Sequence, residues 1–242
     1  MLILLPPSET KADGGDGRPM DPDRLSFPDL NPVRRKLTDA LVELARDVPA
    51  SRIALGLSDR QDAEIERNAA LFTAATRPAL RRYTGVLYDA LDAGSLSTAE
   101  RRRADARLAV ASALFGVVRA ADPIPAYRCS GGSLLPGVGP LGAVWRPVLE
   151  PVLGGIDDLV VDLRSGTYAT LARLPAAVTV RVVTGQGLAV SHLNKAHKGL
   201  LARALAVAPR EPSTVTGLVR TAARAGLTLR RTGESLLELV VE

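Results

Sequence analysis

The chain has 242 residues, of which 46% are hydrophobic and 24% charged, the balance of a protein that folds around a core. Aromatic residues make up only 3%, so that core must be aliphatic, and single-stranded nucleic acid would find few stacking platforms. Lys and Arg exceed Asp and Glu by 31 to 26, which permits a polyanionic partner without requiring one, while one cysteine excludes an internal disulfide and two histidines leave no ligand set for a structural zinc site.

In chain order, Leu2-Ile3-Leu4-Leu5 ended by Pro6-Pro7 predicts a short, buried central strand. This start lacks a basic leader and a small-residue cleavage site, and no run approaches the roughly 20 apolar residues that cross a bilayer; a cytoplasmic location without membrane contact is expected. Residues 12–31, rich in Gly, Asp and Pro, predict a mobile loop. Asn31-Pro32 opens a predicted helix through Asp47, with Leu37, Leu41 and Leu44 on one face, and two shorter helices are expected over 52–59 and 61–72. Ser97-Thr98-Ala99-Glu100 matches a capping box and predicts a long helix toward Leu114. Residues 140–154 read as a helix with a proline-marked end, and the β-branched runs 157–165 and 177–185 as strands. Helices over 191–207 and 213–226 and a hairpin over 227–242, turning at Thr232-Gly233-Glu234, complete the chain. Strands scattered among helices imply one mixed α/β domain spanning 1–242, a mixed sheet surrounded by helices.

Several groups of residues invite chemistry. Within 112–133, Pro123 and Pro125 stiffen a long loop and Gly131-Gly132 lets the backbone turn or approach a partner closely. Arg119 and Arg128 would then offer planar donor forks to phosphate or carboxylate, unless they pair with local acids such as Asp122. Lys195 and Lys198 lie one turn apart with Arg203 beyond them on the same helix, either a cationic stripe for a phosphate backbone or a solvated face. Glu9 and Lys11 follow the first strand, where α/β sheets place ligand groups; they could hold an anion or, in the case of Glu9, do acid–base work, the plain alternative being a salt bridge across a turn. His192 and His197 are five apart, not the spacing of a helical metal pair, so neither a metal nor a cofactor is expected. Cys129 reads as a small buried hydrophobe rather than a nucleophile. The clusters Arg34-Arg35-Lys36, Arg77 with Arg81-Arg82, and Arg101-Arg102-Arg103 read as solvated helix faces.

Five landmarks fall in a recognisable order: LLPPSETK at 4–11, YTGVLYDAL at 83–91, SALFGVVRAADPIPAYR at 112–128, VVDLRSGTYATL at 160–171 and NKAHKGLLARAL at 194–205. Together they resemble the YaaA peroxide-stress family. The resemblance implies a soluble bacterial α/β protein with a basic cleft, linked to survival of hydrogen peroxide and to limiting damage from intracellular iron. It also implies DNA binding through a helix-hairpin-helix element. Two departures stand out. The segment matching that element has the connection Ser58-Asp59-Arg60-Gln61-Asp62, without glycine and with two carboxylates that would repel phosphate. Where many relatives carry Asn-Leu-Ala-Ser-x-Glu-Tyr, this chain has Asp162-Leu163-Arg164-Ser165-Gly166-Thr167-Tyr168, losing the Glu and gaining an Arg. The leading expectation is weak, sequence-independent binding of double-stranded DNA in a basic cleft formed by Lys11, Arg119, Arg128, Lys195, Lys198 and Arg203. The alternative is an enzyme acting on a phosphorylated or carboxylated small-molecule anion in the same cleft.

Overall fold

The computed structural model describes residues 1–190 and 194–241. Strand β1 (Leu2–Leu5) leads through the short strand β2 (Gly17–Pro19) to helices α1 (Asn31–Leu44), α2 (Val48–Leu55) and α3 (Asp62–Ala69). Strand β3 (Ala75–Pro78) precedes α4 (Ala79–Arg82), α5 (Val86–Leu91) and α6 (Thr98–Arg107), which are followed by β4 (Leu108–Ser112), β5 (Gly116–Arg119) and β6 (Pro123–Ile124). The second half runs α7 (Leu141–Gly154), β7 (Val160–Asp162), α8 (Gly166–Ala169), β8 (Val178–Thr184), α9 (Asn194–Val207), α10 (Val215–Arg224), β9 (Thr228–Arg231) and β10 (Leu236–Val241).

Seven strands form a mixed sheet in the order β5-β4-β1-β7-β8-β10-β9, and β2, β3 and β6 form a small antiparallel sheet beside it. The five inner strands are parallel, and β5 and β9 close the edges antiparallel. All four residues of β1 are buried, as a strand covered on both faces requires, and Pro6, lacking an N–H, ends its ladder. The C-terminal hairpin, the strands within 157–165 and 177–185 and the helix opened by Asn31 form as the sequence predicts.

Two expectations need correction. The helix capped by Ser97 ends at Arg107, and Leu108–Ser112 is instead a strand whose five residues are all buried between β1 and β5. A short run of Leu, Ala and Val has no solvated face, so periodicity could not separate helix from strand there. The segment 12–31 is held down by two arginines that read as surface residues. Arg34 and Arg82 are both 0% exposed. Arg34 donates to the carbonyls of Ser26 (2.8 Å), Phe115 (3.0 Å) and Val117 (2.7 Å), and Arg82 to those of Gly14 (2.8 Å), Ile124 (3.1 Å), Ala12 and Ala75. A guanidinium carries five donors, enough to satisfy turn carbonyls that no strand pairs. Burial lowers both pKa values only to about 10, so the two stay charged at neutral pH.

Helices α5 and α9 meet at Gly199. A methyl group there would overlap the Leu87 carbonyl oxygen and lie 2.9 Å from the Ala90 Cβ. An alanine would ordinarily favour a helix over glycine by about 1 kcal/mol. Here overpacking should outweigh that gain, and Gly199→Ala should lose about 1–3 kcal/mol in thermal or denaturant unfolding; a stabilised variant would show that the helices have room to spare.

Candidate functional site

The chain leaves β1 toward β4 on one side and returns through β7 on the other, which makes β1 the point where strand order reverses. In open parallel sheets such a point leaves a crevice at the carboxyl ends of the strands. A cleft of about 910 Å³ opens there, lined by residues 6–10 after β1, 84–88 entering α5, the turn 130–132, the segment 163–168 after β7, and Asn194, Lys195 and Lys198 at the start of α9.

Behind the cleft floor is a chain of buried hydroxyls. The Tyr83 and Tyr127 hydroxyls are 2.8 Å apart, Tyr127 lies 2.7 Å from Ser112 Oγ, and that oxygen accepts the Leu114 and Phe115 N–H groups. Lys11 Nζ packs 4.2 Å from the centre of the Tyr127 ring and 5.5 Å from that of Tyr83, and donates to the Ser8 carbonyl (3.1 Å) and the Glu9 carbonyl (3.4 Å). Burial pulls its pKa down to about 8, opposed by Glu9 and helped by Arg128. Lys11 therefore fixes the backbone of the cleft loop from behind and is not among the lining residues.

The stiff Pro-x-Pro loop is locked by a residue that sequence reading missed. Asn68, buried in α3, donates its amide to the Arg128 carbonyl (2.9 Å) and accepts the Arg128 N–H (2.8 Å). Its signal was a polar residue three positions after Ile65, on a helix face otherwise turned inward. So anchored, Arg128 Nη1 reaches Glu9 Oε2 at 2.8 Å. Glu9 thus forms a salt bridge, with Arg128 rather than Lys11 as the partner. Cys129 is buried, and burial raises its thiol pKa to about 12, so it packs rather than reacts.

Lys195 is exposed and Lys198 half-buried, and both line the cleft. Among the described residues neither meets a carboxylate within ion-pair distance. Lys198 Nζ donates to the Leu163 carbonyl (3.1 Å), and burial lowers its pKa while Asp162 opposes the fall. Glu9 is the one carboxylate among the lining residues.

Of the six cations expected to form the cleft, Lys195 and Lys198 line it; Lys11 and Arg128 do not, though both adjoin Glu9, and Arg119 and Arg203 lie elsewhere. Arg119 pairs in register with Ala109 near the start of β4, at the opposite end of the sheet, where it donates to the Ala106 carbonyl (2.6 Å) and faces the Phe27 ring. Arg203 binds the carbonyls of Leu91 (2.7 Å) and Asp92 (2.6 Å) and Ser95 Oγ (2.8 Å), clamping α9 to the end of α5. Both give donors to groups outside their own segments, mainly backbone carbonyls, which sequence cannot reveal. His192 lies outside the described residues.

The family profile described as "Peroxide stress protein YaaA" matches residues 1–229. The chain belongs to this YaaA family. It is 49% identical to a UPF0246 protein of Corynebacterium efficiens over 95% of this chain and 94% of the relative. It is 46% identical to one of Streptomyces coelicolor over 91% and 89%, and 25% identical to an uncharacterized protein of Campylobacter jejuni over 83% and 82%.

Against the YaaA pattern, the Asp162 and Arg164 departures turn out to be one feature. Arg164 Nη2 lies 2.7 Å from Asp162 Oδ2 and its Nε 2.9 Å from Oδ1, both side chains almost wholly buried, and the guanidinium also donates to the Ala172 carbonyl (2.9 Å). The gained charge is neutralised inside the β7 turn. At the place of the lost Glu, Thr167 lies beside Gly131 on the cleft wall. The α2–α3 connection also needs correction, because it begins at Gly56, in the left-handed region at φ 63°. Its amides are nonetheless engaged internally: Gly56 N–H to the Ile53 carbonyl (3.4 Å), Leu57 N–H to that of Arg52 (2.8 Å), and Ser58 N–H to Gln61 Oε1 (3.1 Å). No helix is long and apolar enough to cross a membrane among the described residues.

Because its charged form is the one burial disfavours, Lys11 should titrate near pH 8, well below the ordinary 10.5. Between those values the unfolded chain keeps a proton that the folded protein has released, so stability should rise with pH across that window. NMR titration of the Lys11 side chain, with Lys11→Met as the stability reference, checks both; a titration at the ordinary lysine value would show that water reaches the amine freely.

Proposed function

We propose that this YaaA family member serves the peroxide-stress response through a small anionic molecule bound in the cleft beyond β1 and β7, with Lys195 and Lys198 as the anion ligands and Glu9 as the group able to give or take a proton. One observation carries the reading: Glu9, Lys195 and Lys198, from opposite ends of the chain, line one cleft of about 910 Å³. That volume falls in the range of small-molecule sites, and the cleft stands where α/β sheets hold ligands. The carboxylate lines the same cleft as the lysines, and general acid–base chemistry on an anion held there would call for such a group.

Duplex DNA is a second reading, favoured by the exposed Lys195 and the net charge of +5. It draws less support, because Arg119 and Arg203 lie outside the cleft and Arg128 is paired with Glu9.

Calorimetric or NMR titration with inorganic phosphate separates the two. The small-anion reading expects saturable phosphate binding, weakened at least about tenfold by joint Lys195→Ala and Lys198→Ala substitution, since each charge-assisted contact is worth about 1.5–3 kcal/mol. Absence of phosphate binding, together with duplex binding whose log–log salt slope flattens by roughly two in the double variant, would overturn it in favour of DNA.

A further inference from the structure

We propose that the ligand of this cleft is a phosphate monoester of a hydroxyl-bearing sugar, its phosphate on Lys195 and Lys198 and its hydroxyls on the Glu9 carboxylate. The proposal rests on the small-anion reading and adds the second end of the ligand.

The lining is chemically divided. Its cationic part is at the start of α9, where Lys198 gives one of its three donors to the Leu163 carbonyl and Lys195 makes no hydrogen bond to the described residues. Several ammonium hydrogens therefore remain for phosphate oxygens. A bare phosphate would use only this part, leaving Glu9 facing it with like charge. Glu9 is half exposed, and only Oε2 is taken, by Arg128; Oε1 has no hydrogen-bond partner among the described residues. A carboxylate oxygen in that state accepts and does not donate, so it selects a ligand that brings O–H or N–H groups. Arg128, itself anchored by Asn68, holds the carboxylate in position.

Apart from Arg164, whose guanidinium is paired with Asp162, the remaining polar lining is neutral and rich in hydroxyls, among them Ser8, Thr10, Thr84, Ser130 and Ser165. Such groups both donate and accept, and so match sugar hydroxyls better than a second anionic group. An acidic side chain on ribose hydroxyls beside a phosphate site is a recurrent solution in α/β folds. The shared chemistry is that of a ribose phosphate, present both in a nucleoside monophosphate and in a free pentose phosphate.

The test compares dissociation constants of the intact protein for inorganic phosphate, ribose 5-phosphate, adenosine 5′-monophosphate and the 2′,3′-dideoxy form of that nucleotide. The expected result is at least about tenfold tighter binding of ribose 5-phosphate than of phosphate, the equivalent of one charge-assisted hydrogen bond. Loss of both ribose hydroxyls should remove that gain from the nucleotide. Glu9→Ala should bring the phosphate to ribose 5-phosphate ratio close to one, and Glu9→Gln, which retains an acceptor oxygen, should keep part of it. Adenosine monophosphate binding tighter than ribose 5-phosphate assigns the site to nucleotides, and equal binding to free sugar phosphates; either supports the proposal. Sugar phosphates no tighter than phosphate, or a dideoxy nucleotide as tight as its parent, would overturn it while leaving the anion site standing. Absence of phosphate binding altogether would instead remove the reading on which it rests.

Discussion

The reversal of strand order at β1 is the constraint on which the site depends. Because β4 lies on one side of β1 and β7 on the other, the connections beyond these carboxyl ends diverge and leave a crevice that neither covers. Pro6 and Pro7 turn the chain out of the sheet at the rim of that crevice, and the Ser8–Lys11 segment is then paired back against Thr84 and Tyr83. Glu9 faces the cleft because the residues around it have nowhere else to go: Lys11 holds the loop carbonyls from behind and Arg128 holds the carboxylate from the side.

Part of the basic composition is used in building this frame. Arg34 and Arg82 tie the Gly- and Pro-rich segment to the sheets, Arg164 fixes the turn after β7, and Arg203 joins α9 to α5. Arg107 does the same between α6 and the end of α9, through the Ala206 carbonyl (3.0 Å) and Glu211 (2.9 Å). Arginine suits this work because its fork meets several carbonyl oxygens at once and keeps its charge when buried. The net positive charge of this protein is therefore weak evidence for a polyanion-binding surface. Of the cations that line the cleft, Arg164 is paired with Asp162, and Lys195 and Lys198 are those with donors left over among the described residues.

Much of the architecture was legible in the sequence because its signals were local and unambiguous. β-Branched runs marked β7 and β8, alternation about a Thr-Gly-Glu turn marked the C-terminal hairpin, and Ser97 with Glu100 marked the start of α6. Strand β4 was misread because complete burial erases the alternation that separates strand from helix. Glu9 after the first strand and the lysine pair of α9 stood out by their place in the chain, and the fold brings them to one cleft. Arg119 and Arg203 do not line that cleft, and the reason is physical: a cation's sequence neighbours do not show whether its donors will meet distant carbonyls. Asn68 was overlooked because it bonds only backbone, sixty residues away.

The central claim is that the function of the protein is carried by the cleft lysines and not by its general basic character. It is tested most directly by survival of hydrogen peroxide in cells lacking the native gene and supplied with variants at equal protein level. The account predicts that Lys195→Ala with Lys198→Ala abolishes protection while Arg102→Ala, on the exposed face of α6, preserves it. Full protection by the double lysine variant would contradict the account.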